Sequence, residues 1–316
     1  MNPMTARAVG LLLGHAVDGA LGDPRRFHPV AGFGRTALGL ERRMYADSRA
    51  RGVAYVLLLV GGAAALAVAA ERRARHPLAR IFVTATVTWA VLGGRSLGNE
   101  AAAVSDLLAS GDLTGARLRL RHLVGRDTTS LSPDEIARAA IESVAENTSD
   151  AVVSSFFWGA VAGVPGLVAH RAANTLDAMV GHHNTRYEHF GWAAARLDDA
   201  LGYPGARSAG ALTVALGPDR RGAFTAWRRD AAGHPSPNAG VIEASFAGAL
   251  GLRLGGTNTY YGDRREHRAL MGQGRPPTPA DIDRTRRLAR RVGTGAALAA
   301  AAACLLRGAT VTAGRR

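Results

Sequence analysis

The sequence predicts an all-α, polytopic integral membrane protein, because long uncharged stretches alternate with polar segments that carry helix signals. The stretch at 52–70 has 19 residues without a charge, close to the roughly 20 that a helix needs to span a bilayer. In the polar part, Ser132–Pro133–Asp134–Glu135 has the form of a capping box with proline at the first helical position. A mean hydropathy of zero therefore averages two kinds of segment.

Four more segments are apolar enough to lie in the membrane. The run at 81–94 can cross if its ends extend to about 80–97, which would make a hairpin with 52–70. The stretch at 151–169 is uncharged, but its Gly163–Val164–Pro165–Gly166 sequence should kink or break the helix. The remaining segments lie at about 5–21 and 292–306, and we expect a single domain over residues 1–316.

The charge composition excludes several classes of chemistry. All 39 basic residues are arginine and the net charge is +14, so a Walker A loop, a Schiff-base lysine and a lysine general base are impossible. The single cysteine, Cys304, excludes an intramolecular disulfide and a multi-cysteine zinc site. The arginines cluster beside apolar runs, which is typical of membrane anchors, and stacking aromatics are not interleaved with them. We therefore expect a lipid bilayer and no nucleic acid as a partner.

The arginine distribution also predicts an orientation. Seven arginines lie in 22–51 and four lie between 72 and 80, and the positive-inside rule cannot place both groups in the cytoplasm if 52–70 spans the membrane. We favour the arrangement with 22–51 and 95–150 inside and the connector at 72–80 outside. It also places 284–291 inside if the broken segment at 151–169 enters the membrane and returns rather than crossing it.

A first group of candidate site residues lies at the end of the N-terminal apolar run. Asp18 is an ionisable group in an otherwise apolar helix, where it is costly and so indicates a function. Asp23 and His28 follow, each directly before a proline. The alternative is that both are turn formers and nothing more.

A second group lies on the helix that begins at Pro133. Glu142, Glu146 and Asp150 are spaced i, i+4 and i+8, with Asn147 beside them. Three carboxylates on one stripe repel each other unless a cation such as Mg²⁺ lies among them. An ordinary solvated face is the alternative, but this stripe leads directly into the apolar 151–169 stretch.

A third group follows that stretch, with Arg171, Asn174 and Asp177 at i, i+3 and i+6. A fold back at Pro165 would bring these residues to the second group at the membrane surface. The adjacent pair at 182–183 has the residue type of a metal site but has no clear third ligand, so we do not expect zinc.

Further candidates lie in the C-terminal half. Arg196, Asp198 and Asp199 form a carboxylate pair with an arginine, which alone is a weak signal. The loop from His234 through Ser236 and Asn238 leads into a helix that carries Glu243, and the N-terminus of a helix is a ready phosphate site. The glycine-rich turn at 255–262, which contains Tyr260, is a weaker phosphate candidate.

Taken together, the segments that contain these candidate residues resemble the cobalamin-biosynthesis membrane family known as CobD or CbiB, the adenosylcobinamide-phosphate synthases. The resemblance covers residues 18 to 262 in the family's order. It is carried by GDPRRFHPV, ESVAENTSDAVVS, RAANTLDAMVGHHNTRY, FGWAAARLDD and HPSPNAGVIEASFAGALGLRLGGTNTYYG.

This resemblance implies a multi-pass enzyme of the cytoplasmic membrane, with a helical, membrane-associated catalytic region. It implies ATP- and Mg²⁺-dependent amide formation between a propionate of adenosylcobyric acid and aminopropanol or its phosphate. The catalytic residues would be Glu142, Glu146, Asp177 and His28, and the general base would be His28, Glu146 or His234. Substrate and ATP would contact Asp18, Asp23, Asn147, Arg171, Asn174, Arg196, His234, Ser236, Asn238, Glu243 and Tyr260. Metal would be held by some of Glu146, Asp150, Asp177, Asp198 and Asp199.

Two other classes fit parts of the sequence. A membrane-embedded Mg²⁺-dependent transferase, of the prenyltransferase or CDP-alcohol phosphotransferase type, would use aspartates at helical spacing, and Asn174 to Asp177 resembles a fragment of such a motif. A second aspartate box is missing at the expected distance. A non-catalytic corrinoid carrier would place polar residues inside several long spans, whereas here they cluster in the polar segments.

Overall fold

The computed structural model describes residues 1–24, 28–182, 184–260 and 264–313, with side chains throughout except at 257–260, 264–267 and 311–313. Its helices are α1 (Pro3–Leu21), α2 (Pro29–Met44), α3 (Arg49–Val56), α4 (Gly62–Arg73), α5 (Pro77–Leu92), α6 (Gly94–Ala109), α7 (Leu113–Leu120), α8 (Pro133–Asn147), α9 (Ser154–Val180), α10 (Trp192–Leu216), α11 (Arg220–Asp230), α12 (Ala239–Leu250) and α13 (Ala280–Ala313). Two strands, β1 (Leu254–Tyr260) and β2 (Arg264–Met271), pair antiparallel. The predicted all-α class is confirmed.

In the described part of the chain, four helical stretches are long and apolar enough to cross a membrane. They are Arg49–Arg73, Pro77–Ala109, Pro133–Val180 and Ala280–Thr310. These stretches contain the predicted segments at 52–70, 80–97, 151–169 and 292–306. Helix α1 coincides with the predicted segment at 5–21 but is not among the four, since Arg7, His15 and Asp18 lower its hydropathy. Its place in the membrane stays a prediction.

The chain divides into two compact units. The first unit comprises Met1–Gly93, Ser154–Gly205 and Ala296–Arg316. Inside it, α1 packs on α5 at short range because Gly10 and Gly14 face Thr84 and Thr88. A β-carbon added at Gly10 would lie 2.5 Å from that of Thr84, so glycine is needed for this approach.

Helix α9 is broken at Gly163, which has φ 70° and ψ −148°. This confirms the break predicted at 163–166. The carbonyl of Ala160, which lies at the break, accepts a hydrogen bond from Arg7 Nη1 at 3.3 Å. Arg7 Nη2 also pairs with Glu71 Oε1 at 3.2 Å. An arginine from α1 and a glutamate from α4 therefore stabilise the interruption in α9.

The second unit comprises Gly94–Val153 and Ala206–Gly295. Helix α8 begins with the predicted capping box, in which Ser132 and Glu135 each bond the other's backbone N–H. The helix ends at Asn147 and continues as a π-helical turn over Thr148–Val153. Helix α12 packs against α8 and α11. The site residues of this unit therefore rest mainly on two packed helices, α8 and α12.

Candidate active site

A buried carboxylate, Glu142, is the best-anchored acid of the second unit. It lies on α8 and is 5% exposed. Its Oε2 accepts a hydrogen bond from Arg126 Nη2 at 3.2 Å, and its Oε1 accepts one from the backbone N–H of Gly255 at 3.0 Å. Two hydrogen bonds thus hold the carboxyl group in position, as a buried polar group requires.

Glu243 is a second buried acid, and its surroundings are quite different. It lies on α12 with no exposed surface, and neither carboxyl oxygen has a hydrogen-bond partner in the described part of the chain. The closest recorded polar group is His234 Nε2, 3.8 Å from Oε1. Burial first, and then the charges of Glu142 and Glu146, raise the pKa of Glu243 well above its usual value. The raised pKa favours the protonated carboxyl, which can donate a hydrogen bond.

Four arginines contact these acids or the residues next to them, and the sequence interpretation did not single them out. Besides Arg126, Arg138 donates a hydrogen bond to the Gly255 carbonyl, and Arg268 Nη1 lies 3.4 Å from His234 Nε2. Arg207 Nη1 donates to Asn238 Oδ1 at 2.8 Å. One signal was available for Arg138, which lies four residues before Glu142 on the same helix. This group of arginines is suited to binding an anionic ligand.

The predicted stripe of Glu142, Glu146 and Asp150 is only partly regular. Glu146 is half-buried and close enough to Glu243 to raise the pKa of that carboxyl. Asp150 lies in the π-helical turn, beyond the end of α8, so the i+8 spacing of a regular helix does not apply to it. Asn147 Nδ2 donates to the Ser143 carbonyl at 2.9 Å, a bond within its own helix.

The loop before α12 uses its polar groups internally. His234 Nδ1 accepts the N–H of Ser236 at 3.0 Å. Ser236 Oγ accepts the N–H groups of Asn238 and Ala239, at 3.3 and 3.2 Å. The backbone amides expected to hold phosphate are thus already bonded, and the side chain of Arg207 is the nearest cationic group recorded at this helix end.

The first unit brings together four other predicted residues. His28 Nε2 lies 3.8 Å from Asp23 Oδ1, and Arg171 Nη1 donates to Asn174 Oδ1 at 3.4 Å. Both pairs meet at Gly93, where a β-carbon would lie 3.5 Å from the Asp23 carboxylate and 4.0 Å from the Arg171 guanidinium. Gly93 has φ 71°, so the backbone conformation favours glycine at this position.

The remaining predicted site residues lie elsewhere in the first unit or outside the part of the chain that the structure describes. Asp18 is buried on α1 at 4% exposure, and Asp177 lies against Gly181 at the end of α9. On α10, Arg196 is exposed while Asp198 and Asp199 are half-buried. The side chain of Tyr260 and all of residue 183 lie outside the described residues.

No three His, Cys, Asp or Glu side chains within the described ranges form a group that could hold a metal ion. Both oxygens of Glu142 already accept hydrogen bonds. Magnesium retains several waters and commonly takes one or two carboxylates together with substrate phosphates. Glu146, with Asp150 one turn further on, supplies donors of this kind.

The fold and the buried site define the class of the protein. It is a polytopic helical membrane protein whose second unit holds a buried cluster of acids, a histidine and arginines. The model of the CobD/Cbib protein family matches residues 11–289. The chain therefore belongs to the CobD/Cbib family.

Curated relatives match over nearly the whole chain. The cobalamin biosynthesis protein CobD of Mycobacterium tuberculosis strain H37Rv is 50% identical over 298 residues, which cover 93% of this chain and 95% of the relative. The protein of the same name from Chromobacterium violaceum is 44% identical, covering 97% and 98%. The one from Rhodobacter capsulatus is 38% identical, covering 92% and 95%. No solved structure matches the chain.

Proposed function

We propose that this protein acts in cobalamin biosynthesis by forming an amide between a propionate of adenosylcobyric acid and aminopropanol or its phosphate, with ATP as the energy source. The relatives, named for cobalamin biosynthesis, support the pathway. One observation carries the chemistry. Glu142, Glu243 and His234 are buried together among arginines, which is a centre built to exclude water and hold anions.

The reaction needs two bond exchanges. A corrin carboxylate oxygen attacks the γ-phosphorus of ATP, the bond to the bridging oxygen breaks, and ADP leaves. The ammonium first gives one proton to a base, and the free amine nitrogen then attacks the acyl carbon. The bond from the acyl carbon to the phosphate oxygen breaks, and inorganic phosphate leaves with the second proton from the nitrogen. In a chain without lysine, Arg138, Arg207 and Arg268 are the cations we assign to the phosphates.

Of the three candidate bases, Glu146 has the best support. His28 Nδ1 accepts the N–H of Val30 at 3.1 Å, so the neutral ring carries its proton on Nε2 and keeps no lone pair for a substrate. Both ring nitrogens of His234 already have neighbours within the protein, because Nδ1 accepts the Ser236 N–H and Nε2 lies 3.4 Å from Arg268 Nη1. Glu146 is a half-buried carboxylate at the edge of the buried acids.

Magnesium would be held by Asp150 together with the ATP phosphates, so that Glu146 acts as the base, and when bound it would neutralise phosphate charge. Glu142 is already held by Arg126 and Gly255, so we assign it to positioning the arginines and the β1 backbone. Glu243, whose raised pKa favours the protonated form, would donate a hydrogen bond to a substrate oxygen.

The test is a mass-spectrometric product assay on the full chain purified in detergent, with adenosylcobyric acid, Mg²⁺ and either free or phosphorylated aminopropanol. Product and ADP should form only when ATP, the corrinoid and an amino alcohol are all present. Turnover without ATP, or no product with either acceptor, contradicts the proposal. The acceptor that reacts identifies the physiological substrate class.

Matched variants test the centre itself. Glu146→Gln should lower the rate by about 10²–10⁴-fold, the usual contribution of a general base, while Asp134→Asn at the exposed start of the same helix keeps it. Arg126→Gln should abolish product because Glu142 loses its partner. Arg119→Gln breaks a more exposed pair with Glu100 and should have little effect. Near-normal activity of both Glu146→Gln and Arg126→Gln would exclude this centre.

A further inference from the structure

Helix α11 packs its small residues inward and presents a large apolar side chain outward. Ala226 is buried, and Gly222 lies so close to Gly248 of α12 that an added β-carbon would be 2.6 Å from the Gly248 carbonyl oxygen. Phe224, on the opposite face, is 51% exposed. Trp227 of the same helix is half-buried and packs inward, with its ring 3.1 Å from a β-carbon built at Gly210. Phe224 nevertheless stays exposed on the outer face, where a helix that faces water carries polar residues.

The same outward face carries positive charge that no acid offsets. Arg220, Arg221 and Arg228 are exposed and have no acidic partner within the part of the chain that the structure describes. The two neighbouring acids are committed elsewhere. Asp219 accepts the N–H of Gly222 at the start of the helix. Asp230 pairs with Arg229 and accepts the N–H of Gly272.

Contacts within the second unit relate α11 to the apolar part of α13. Leu212 and Leu216, at the end of α10, lie against Gly295 of α13. Gly295 is three residues beyond Val292, where the uncharged stretch 292–306 begins after a run of arginines. Because α11 starts four residues after Leu216, it lies near the level at which α13 changes from charged to apolar.

We propose that α11 lies on the bilayer surface, with Phe224 in the interfacial layer and Arg220, Arg221 and Arg228 on anionic phospholipid headgroups. An amphipathic helix with arginines around an aromatic side chain has this preference. Each basic residue near an anionic leaflet adds about fivefold to binding. The proposal concerns a surface outside the candidate active site and is independent of the reaction proposed above.

The test uses the full chain with Cys304→Ser and one new cysteine, Thr225→Cys, which is exposed on α11 and leaves Phe224 in place. A nitroxide at this position, in phosphatidylcholine vesicles with or without phosphatidylglycerol, reports depth through its exposure to oxygen and to a water-soluble nickel complex. Ser130→Cys, exposed between α7 and α8, is the matched aqueous control.

With phosphatidylglycerol, the label on α11 should move into the interfacial layer while the control label stays aqueous. Replacing Arg220, Arg221 and Arg228 with glutamine, or raising the salt concentration, should return it to water, with about a fivefold loss of docked population for each arginine removed. An aqueous label in both vesicle types, or equal depth in both, overturns the proposal. Dipolar broadening between two labelled copies also overturns it, because a second copy would then cover this face.

Discussion

At the residue scale, Glu243 shows how packing shifts the pKa of a carboxyl group. The carboxyl group is fully buried on α12, and the acids Glu142 and Glu146 are close by. Two of these three carboxylates can be ionised with less cost if the third stays neutral, since like charges in a low-dielectric site disfavour each other. The arginines Arg268 and Arg126 act in the opposite direction but do not prevail.

This arrangement predicts a pH-dependent stability. Unfolded glutamate releases its proton near pH 4.5, whereas folded Glu243 keeps it to a higher pH. Folding therefore takes up a proton above pH 4.5, and stability from this group falls as pH rises toward the folded pKa. Glu243→Gln should remove this loss, so its melting temperature, measured by differential scanning fluorimetry between pH 5 and pH 8, should fall less than that of the wild type. Parallel melting curves for the two proteins would contradict a raised pKa.

Sequence reasoning found most of the acids at this scale but not their partners. Glu142, Glu146 and Glu243 were singled out from spacing and from strings of residues. Arg126, Arg138 and Arg268 were not, because they lie on a loop, on the flank of α8 and on a strand, and only the folded chain brings them to the acids. Among thirty-nine arginines no local signal marks Arg126 or Arg268, and only the four-residue spacing from Glu142 indicates Arg138.

At the element scale, three His–Pro sequences turn out to be one structural device. His28, His76 and His234 each accept, through Nδ1, the backbone N–H two residues later. In the first two cases the histidine is the N-cap of a helix with proline at its first position. The structure therefore supports the alternative in which His28–Pro29 forms a local turn and helix cap. The sequence alone could not distinguish this capping role from a catalytic one.

The break in α9 predicts a glycine requirement. Gly163→Ala should lower the melting temperature, because alanine is strained at φ 70° and its β-carbon would lie 2.5 Å from Arg7 Nη2 and 2.7 Å from Glu71 Oε1. The cost should be about 1–3 kcal/mol for the backbone strain. Gly61→Ala is the control, since Gly61 is helical and open within 4 Å. Equal melting temperatures for both variants would show that the break does not depend on Gly163.

At the scale of the whole molecule, length and composition predicted the class and four of the long apolar helices. The uncharged runs at 52–70 and 151–169 are strong signals because the bilayer sets their length. The two-unit division was not expected, since the second unit is assembled from 94–153 and 206–295. No local pattern reports which distant segments share a core.

The orientation of the molecule can be tested with single cysteines in the Cys304→Ser background. Arg75→Cys, exposed in the turn between α4 and α5, should react with a membrane-impermeant maleimide in intact spheroplasts, because the arginine-rich segments on either side of this hairpin favour the cytoplasm. Ser130→Cys should react only after permeabilisation. The reverse labelling pattern would invert the topology.

The pair formed by Arg7 and Glu71 also constrains the order in which the chain can assemble. Glu71 is synthesised 64 residues after Arg7. Ala160, whose carbonyl Arg7 also binds, is synthesised 153 residues after Arg7. The arginine of α1 therefore gains its partners only when α4 and α9 have left the ribosome. The N-terminal helix, although made first, reaches its native contacts late in biosynthesis.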